Sequence, residues 1–242
     1  MKSKIQYLLQ HLLGLKTYLR LFSWYKIKTL HQDKGENDFF HFIQMIPEDS
    51  DVLDIGANIG IMSFYLSKRV TGKVVSFEPM PQNLQSLQWV KRKFKLDNIT
   101  ISDVALGNEN GSIEMVMPVV DNVKKQGLSH VVSKDITEFN DGDKFTTTIT
   151  RLDDFDDIKT LRISAIKIDV ENFEYQVFLG AEETLKKHKP ILYCELWDNQ
   201  NRYNCFDFMR KLGYTVQVLH QQNLMPFDEM NHNTQNFFFI PE

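Results

Sequence analysis

The ten residues Asp51–Gly60, reading Asp-Val-Leu-Asp-Ile-Gly-Ala-Asn-Ile-Gly, constrain this chain more than any other stretch. Val52, Leu53 and Ile55 form a short apolar run of the kind buried on both faces of a parallel sheet. Gly56–Gly60 follows as a turn, and Ile61–Lys68 then reads as a helix. Small residues let the backbone approach a ligand closely, and a helix start offers unpaired N–H groups with a favourable dipole. A strand, a glycine turn and a helix start in this order make a nucleotide-cofactor site or, more plainly, an ordinary βα junction. Asp54 stands just before the turn, where a carboxylate can receive a cationic or hydroxylated part of a ligand.

Strands and helices alternate from Asp51 onward, the signature of an open parallel sheet covered on both faces. Strands are expected at Lys73–Phe77, Ile99–Ser102, Ala165–Val170 and Ile191–Leu196, with helices at Gln82–Phe94, Phe173–Lys187 and Asn201–Leu212. Tyr214–Leu219 and Asn236–Ile240 are late strands suited to an antiparallel edge. Gly111–Met117 and Lys144–Thr150 have strand character with no crossover helix between them, so a hairpin or lid is expected over about residues 108–150. Such insertions commonly carry substrate specificity. The 242 residues suffice for one α/β domain, residues 35–242, preceded by an extension, residues 1–34.

That extension is unlike the rest. Ile5, Leu8, Leu9, Leu12, Leu15, Leu19 and Phe22 recur at helical spacing. Residues 1–32 hold six basic side chains and no acidic one, which leaves the remainder at −10 within a net charge of −4. An amphipathic helix of this kind lies on an anionic membrane surface or, the plainer reading, packs on the domain or across a dimer. Its start resembles a secretory signal, but polar residues interrupt the apolar stretch and no cleavage site follows, so it is expected to be retained. The acidic balance argues against a nucleic-acid partner. Cys194 and Cys205 offer neither a disulfide framework nor zinc spacing, and fit a reducing, cytoplasmic setting, with contact to the membrane's cytoplasmic face left open.

Glu78 ends the second expected strand, eighteen residues beyond Gly60, where a carboxylate can accept from a ribose diol. Asp103 ends the third and could accept from an adenine amino group. With Asp54 they set three acids on the sheet edge where open α/β proteins bind ligands, pointing to an adenosine-type cofactor. A pyrophosphate turn would need Gly-x-Gly-x-x-Gly, and this chain has Asn58 and Ile61 at the later glycine positions. The pattern suits a ligand without a diphosphate.

Val-Leu-Asp-Ile-Gly-Ala-Asn-Ile-Gly (52–60), Ser-Phe-Glu-Pro (76–79), Asp-Val-Ala-Leu-Gly (103–107), Ile-Lys-Ile-Asp-Val-Glu-Asn-Phe-Glu (166–174) and Pro-Ile-Leu-Tyr-Cys-Glu-Leu (190–196) resemble the FkbM-type family of S-adenosylmethionine-dependent methyltransferases. The resemblance runs from about Gly35 to Pro241. It implies a Rossmann-like class I fold, with a mostly parallel seven-stranded sheet and an antiparallel last strand. It also implies methyl transfer from S-adenosyl-L-methionine to oxygen, leaving S-adenosyl-L-homocysteine (SAH), on a carbohydrate or polyketide-like acceptor. Transfer to nitrogen, a non-catalytic cofactor-binding protein and a nicotinamide oxidoreductase are the rival readings.

On this resemblance Gly56, Ala57 and Gly60 line the methionine part, with Asp54 and Asn58 near its amino and carboxylate groups. Glu78 with Pro79 holds the ribose, Asp103 with Val104 and Ala105 receives the adenine, and Glu36 approaches the cofactor. The family commonly reads Asp-Val-Glu-Gly where this chain has Asn172 for the glycine; asparagine tolerates left-handed backbone well enough to keep the turn. A hydroxyl acceptor calls for a general base. Asp169 and Glu171 are the leading candidates, on one side of the chain if extended, with Glu195 near them and His130 on the lid as another. Three readings of the carboxylates stay open: a base with its orienting partners, a divalent-cation site, which is not favoured, or caps of the next helix.

Overall fold

The Asp51–Gly60 strand and turn lie well inside the main sheet of the computed structural model, which describes residues 2–133, 136 and 138–242, with side chains from Lys4 onward. Residues 134, 135 and 137 of the expected insertion, and residue 1 of the extension, lie outside the described residues. The N-terminal helices are α1 (Lys2–Leu13), α2 (Leu15–Thr29) and α3 (Asn37–Met45). The first half of the domain runs β1 (Asp51–Ile55), α4 (Ile61–Arg69), β2 (Val74–Phe77), α5 (Pro81–Phe94) and β3 (Ile99–Ser102). Five strands follow: β4 (Ala105–Leu106), β5 (Gly111–Val120), β6 (Val123–Lys124), β7 (His130–Val131) and β8 (Gly142–Thr150). The second half is β9 (Ile163–Ile168), α6 (Glu174–Leu179), α7 (Glu182–His188), β10 (Ile191–Glu195), α8 (Gln200–Lys211), β11 (Tyr214–His220), β12 (Asn223–Pro226) and β13 (Asn236–Pro241).

The main sheet has eight strands in the order β12-β11-β13-β10-β9-β1-β2-β3. β13 enters antiparallel between β10 and β11. The late strands thus pair antiparallel, but the edge is β12, a hairpin return that adds an eighth strand to the seven expected. Phe237, Phe238 and Phe239 are consecutive and all fully buried, so β13 is covered on both faces. Each ring contributes on the order of 2–3 kcal/mol by leaving water, which places this strand in the interior.

Two expected helices are broken. The N-terminal stripe is one helix by spacing, yet Gly14 at φ +71° ends α1 and starts α2, and the two fold against each other. Phe173–Lys187 divides at Gly180, whose carbonyl accepts from Asp153 N at 3.0 Å instead of continuing the helix ladder. The Asp153 carboxylate then accepts from Glu183 N (3.0 Å) and Thr184 N (2.8 Å), capping α7 from outside the helix.

The insertion is a second sheet, β4-β8-β5-β6 with β7 beside β5, built on the long antiparallel β5–β8 hairpin. It has its own small core of Met115, Met117, Val131 and Ile149 against Met80 and Ala105. That core seats Gln126, Gly127 and Ser129 beside the ends of β1 and β2, where they line one cleft with Ile55, Phe77 and Glu78.

Candidate active site

The sheet reverses its winding between β1 and β9, with β2 and β3 on one side and β10 on the other. Ligands of open α/β sheets bind beyond the strand ends at such a reversal. A cleft enclosing about 590 Å³, its open mouth included, lies there. It is lined by Gly56 and Asn58, Glu78–Met80 and Asn83, Val104–Leu106, Asp169–Glu171, and Gln126, Gly127 and Ser129 of the insertion. A second cavity of about 680 Å³ shares Gly56, Asn58, Gln126, Gly127 and Asp169 with it. That cavity continues to Ala57, Lys167, Glu36 and the helical residues Phe22 and Lys26.

Gly56 makes the turn possible. It sits at φ +76°, and a Cβ there would lie 1.8 Å from the Asp169 carbonyl oxygen. The β1 and β9 loops therefore cross in contact at the base of the cleft. Gly60, at φ +84°, starts α4 against Leu87 of α5 and lines neither cavity, in contrast to the ligand-lining position expected of it.

Glu78 is buried, with Oε2 accepting from Asn58 N at 2.7 Å and Oε1 from Met80 N at 2.9 Å and Asn83 Nδ2 at 3.3 Å. Burial pushes its carboxyl up to about 7 against these donors. A carboxylate has roughly four acceptor positions; three are occupied, so it retains one for a ligand hydroxyl rather than the two expected for a diol. The side-chain oxygens of Asn58 and Asn83 are buried without a hydrogen-bond partner, and both residues line the cleft. Such oxygens call for donors on whatever occupies it.

The carboxylates beyond β9 form one electrostatic unit. Lys167 is buried in β9 and donates to the Gly56 carbonyl at 2.8 Å. Its ammonium stands 3.5 Å from Asp169 Oδ2 and 3.6 Å from Asp54 Oδ1. Burial alone would lower its pKa, but Asp169, Asp54 and Glu195 outweigh that and raise it. Glu171 is pushed up to about 10, by burial and then by the Asp169, Glu195 and Glu174 carboxylates. Glu195 rises to about 7 for the same reasons, burial first and Asp169 next. Glu174 is buried and also raised to about 7 by burial; it accepts from Val170 N (3.2 Å), Asn172 N (3.1 Å) and Asn201 Nδ2 (2.7 Å).

Several expected positions change. β9 ends at Ile168, and Glu171 (φ +53°) and Asn172 (φ +74°) are left-handed, so Asp169 and Glu171 are not related by strand alternation. Both still line the cleft, because the left-handed turn folds back over it. Asn172 does take the left-handed geometry foreseen for it. Asp54 is fully buried beneath the turn, bonded to Ser63 Oγ at 2.5 Å and raised by burial, and lines neither cavity. The β1–β9 register explains this: Asp54 pairs with Lys167 across the sheet.

Asp103 is exposed and lines neither cavity, whereas its neighbours Val104 and Ala105 line the cleft. His130 is buried and lines neither cavity, with Nδ1 on the Leu128 carbonyl (2.8 Å) and Nε2 on Asn140 Oδ1 (3.2 Å), so it holds the insertion together. Glu195 borders neither cavity, and its charge helps raise the pKa values of Lys167 and Glu171. Pro79 lines the first cavity, Ala57 and Glu36 the second; burial raises the Glu36 carboxyl. Among the described residues no three His, Cys, Asp or Glu side chains converge as metal ligands would. The positive charge among the acids is Lys167.

The motif at 166–174 contains Lys167 and Glu174 without marking a role for either, although a lysine between two isoleucines of an otherwise apolar strand is a visible signal; Asn83 lies outside every motif. Gln126 and Ser129 reach the cleft only through the insertion's fold.

The acid cluster makes stability pH-dependent. A carboxyl raised in the folded state binds more protons than its unfolded counterpart, so stability falls as pH rises from about 4.5 through the folded value. Glu171→Gln mimics the protonated form. It is expected to melt like the parent protein near pH 4.5 and at a progressively higher temperature up to pH 8.5. Equal melting curves at both pH values would show that Glu171 is not held protonated.

The Methyltransferase FkbM domain family matches residues 54–216, from within β1 to within β11. The chain belongs to the FkbM methyltransferase family. It is 24% identical over 189 residues to Methyltransferase 1 of Beauveria bassiana, a match covering 71% of this chain and 75% of that protein. It is 22% identical over 222 residues to the AMB antimetabolite synthetase AmbE of Pseudomonas aeruginosa, which covers 77% of this chain but only 10% of the synthetase. Among solved structures it is similar to the methyltransferase FkbM of Methylobacillus flagellatus KT, at TM-score 0.55 and 18% identity over 81% of this chain and 45% of that one. A Streptococcus mutans protein solved in complex with SAH matches at TM-score 0.50 and 14% identity, covering 86% of this chain and 96% of that one. These likenesses support the α/β methyltransferase fold. This FkbM-family chain thus spans less than half of the crystallised relative and a tenth of the synthetase.

Proposed function

We propose that this FkbM-family protein transfers a methyl group from S-adenosylmethionine to a hydroxyl of a sugar-containing or polyketide-like small molecule, with Asp169 as the general base. The observation that carries the reading is the carboxylate unit at the methyl-donor cleft, in which one acid is ion-paired and its neighbour is held neutral. The cofactor fits the residues present. It has no diphosphate, as the turn requires, and its amino and hydroxyl groups are donors of the kind that Asn58 Oδ1, Asn83 Oδ1 and the last position on Glu78 need.

When bound, S-adenosylmethionine supplies an activated methyl on a sulfonium with a neutral leaving group. What is left to the protein is alignment and removal of one proton. Asp169 lines both cavities and is the acid positioned to take a hydroxyl proton. Lys167 pairs with that carboxylate and orients it from below. Glu171, protonated at neutral pH, donates a hydrogen bond rather than competing for the proton. Glu174 acts as a positioning residue, tying the backbone at Val170 and Asn172 so that Asp169 and Glu171 stay over the cleft. The polar lining from Gln126, Ser129 and Asn58 suits an acceptor with several hydroxyls.

Titration calorimetry checks the donor. S-adenosylmethionine is expected to bind and nicotinamide dinucleotides are not, and Glu78→Gln is expected to weaken binding by about 10- to 100-fold, the worth of one hydrogen bond to a charged group. Methyl-labelled cofactor incubated with fractionated cell extracts, followed by mass spectrometry of the product, identifies the acceptor. Label on nitrogen, or none in any fraction despite tight cofactor binding, would overturn the hydroxyl reading.

A further inference from the structure

Helix α1 is packed the opposite way round from an ordinary surface helix. Gln6 and Gln10 face the domain: Gln10 exchanges two hydrogen bonds with the Lys124 backbone (3.0 and 3.1 Å), and Gln6 Oε1 accepts from Lys125 Nζ at 2.8 Å. Ile5, Leu8, Leu9 and Leu12, one stripe at helical spacing, are left exposed, Leu8 at 54% and Leu12 at 69%. The exposed side chains continue on α2 as Leu21, Trp24 and Tyr25. Between the two helices runs an open apolar groove of about 1080 Å³ bounded by Leu9, Leu13, Leu21 and Phe22, among others. Contiguous apolar surface of this kind marks a place where something else docks.

Charge says what. Residues 1–32 carry six basic side chains and no acid, while the rest of the chain is strongly acidic. Lys4, Lys16 and Lys28 are exposed on the same two helices. A second copy of this chain would bring that basic pair of helices against an equally basic pair, or against an acidic body whose exposed large hydrophobics among the described residues are Val119, Phe139, Met225 and Met230. An anionic lipid surface answers both features at once, taking the leucines and aromatics at the acyl boundary and the lysines at the headgroups. The interfacial tryptophan and tyrosine fit the same boundary.

We infer that the α1–α2 pair is a docking surface for an anionic lipid bilayer, lying on it without crossing. Among the described residues no helix is long and apolar enough to span a membrane. Phe22 lines both the apolar groove and the inner cavity that holds Asp169, so the docked face adjoins the way into the active site. Docking would therefore set that entrance at the bilayer, where an amphipathic acceptor is presented. The docking inference stands apart from the hydroxyl-transfer reading, because it is measured without turnover.

The experiment is co-sedimentation of the full chain with phosphatidylcholine vesicles, with and without phosphatidylglycerol. Leu8→Glu/Leu12→Glu is run alongside, with its melting temperature and cofactor affinity measured to show that it is folded. The expected result is binding to the anionic vesicles alone, weakened by salt, and reduced at least about tenfold in the double variant. No binding to anionic vesicles, or equal binding by a folded double variant, overturns the inference. So does a concentration-dependent dimer that the double variant abolishes while vesicles stay unbound, which would give the surface to a second copy.

Discussion

Asp169→Asn is expected to lower methyl transfer by about 10²- to 10⁴-fold, the usual worth of a positioned base, while S-adenosylmethionine still binds. The substitution is close to isosteric and leaves the backbone bond from Asp169 N to the Ile55 carbonyl (3.1 Å) in place. Lys167 keeps its contacts with Asp54 and the Gly56 carbonyl, so the base of the cleft retains its shape. The loss should therefore appear in single-turnover rate rather than in cofactor affinity. Glu171→Gln is the informative partner, because a side chain already neutral at pH 7 loses little as a hydrogen-bond donor when it becomes an amide. If Asp169→Asn retains full turnover and Glu171→Gln does not, the assignments of the two acids are reversed.

Gly56→Ala is expected to be the most damaging single methyl group in the domain. The new Cβ would fall 1.8 Å from the Asp169 carbonyl, a backbone atom fixed by β9, at a φ that costs a side chain about 1–2 kcal/mol. Relief requires β1 and β9 to part, and overpacking of that kind costs typically 1–3 kcal/mol more. Together these correspond to a drop of roughly 4–20 °C in melting temperature for a domain of this size. Gly60→Ala is the control. Its nearest neighbour is the flexible end of Leu87 at 2.7 Å, so part of the strain can relax, and its φ is similar. Thermal unfolding followed by circular dichroism should rank the two. A Gly56→Ala protein as stable as Gly60→Ala would mean that the loops do not meet as described.

The same loop crossing explains which parts of the site were legible from residues alone. The glycine turn, the acid at the end of β2 and the small residues after β3 are read from short-range chemistry, and Gly56, Glu78, Val104 and Ala105 do line the cleft. Asp54 and Asp103 occupy equivalent-looking positions, yet one is buried under the turn and the other faces solvent. The difference is register: Asp54 is set opposite Lys167 by the β1–β9 pairing, and β3 has no such neighbour beyond it. A histidine carries no mark of its partners in the sequence, and both ring nitrogens of His130 are engaged within the insertion.

By itself the sequence determined the alternation of strands and helices, the non-dinucleotide turn, the family, and the basic, leucine-striped extension. These follow from periodicity, turn propensity and motif, all of which act over a few residues of chain. Tertiary structure decided what spacing cannot encode. It set the direction of the leucine stripe, outward rather than inward, because Gly14 turns α1 back onto glutamine contacts with the second sheet. It joined Asp169 to Lys167 and brought Glu171 over the cleft through two consecutive left-handed residues tied down by Glu174. The raised carboxyl of Glu171 then follows from burial and from the neighbouring carboxylates, and those are properties of the assembled fold.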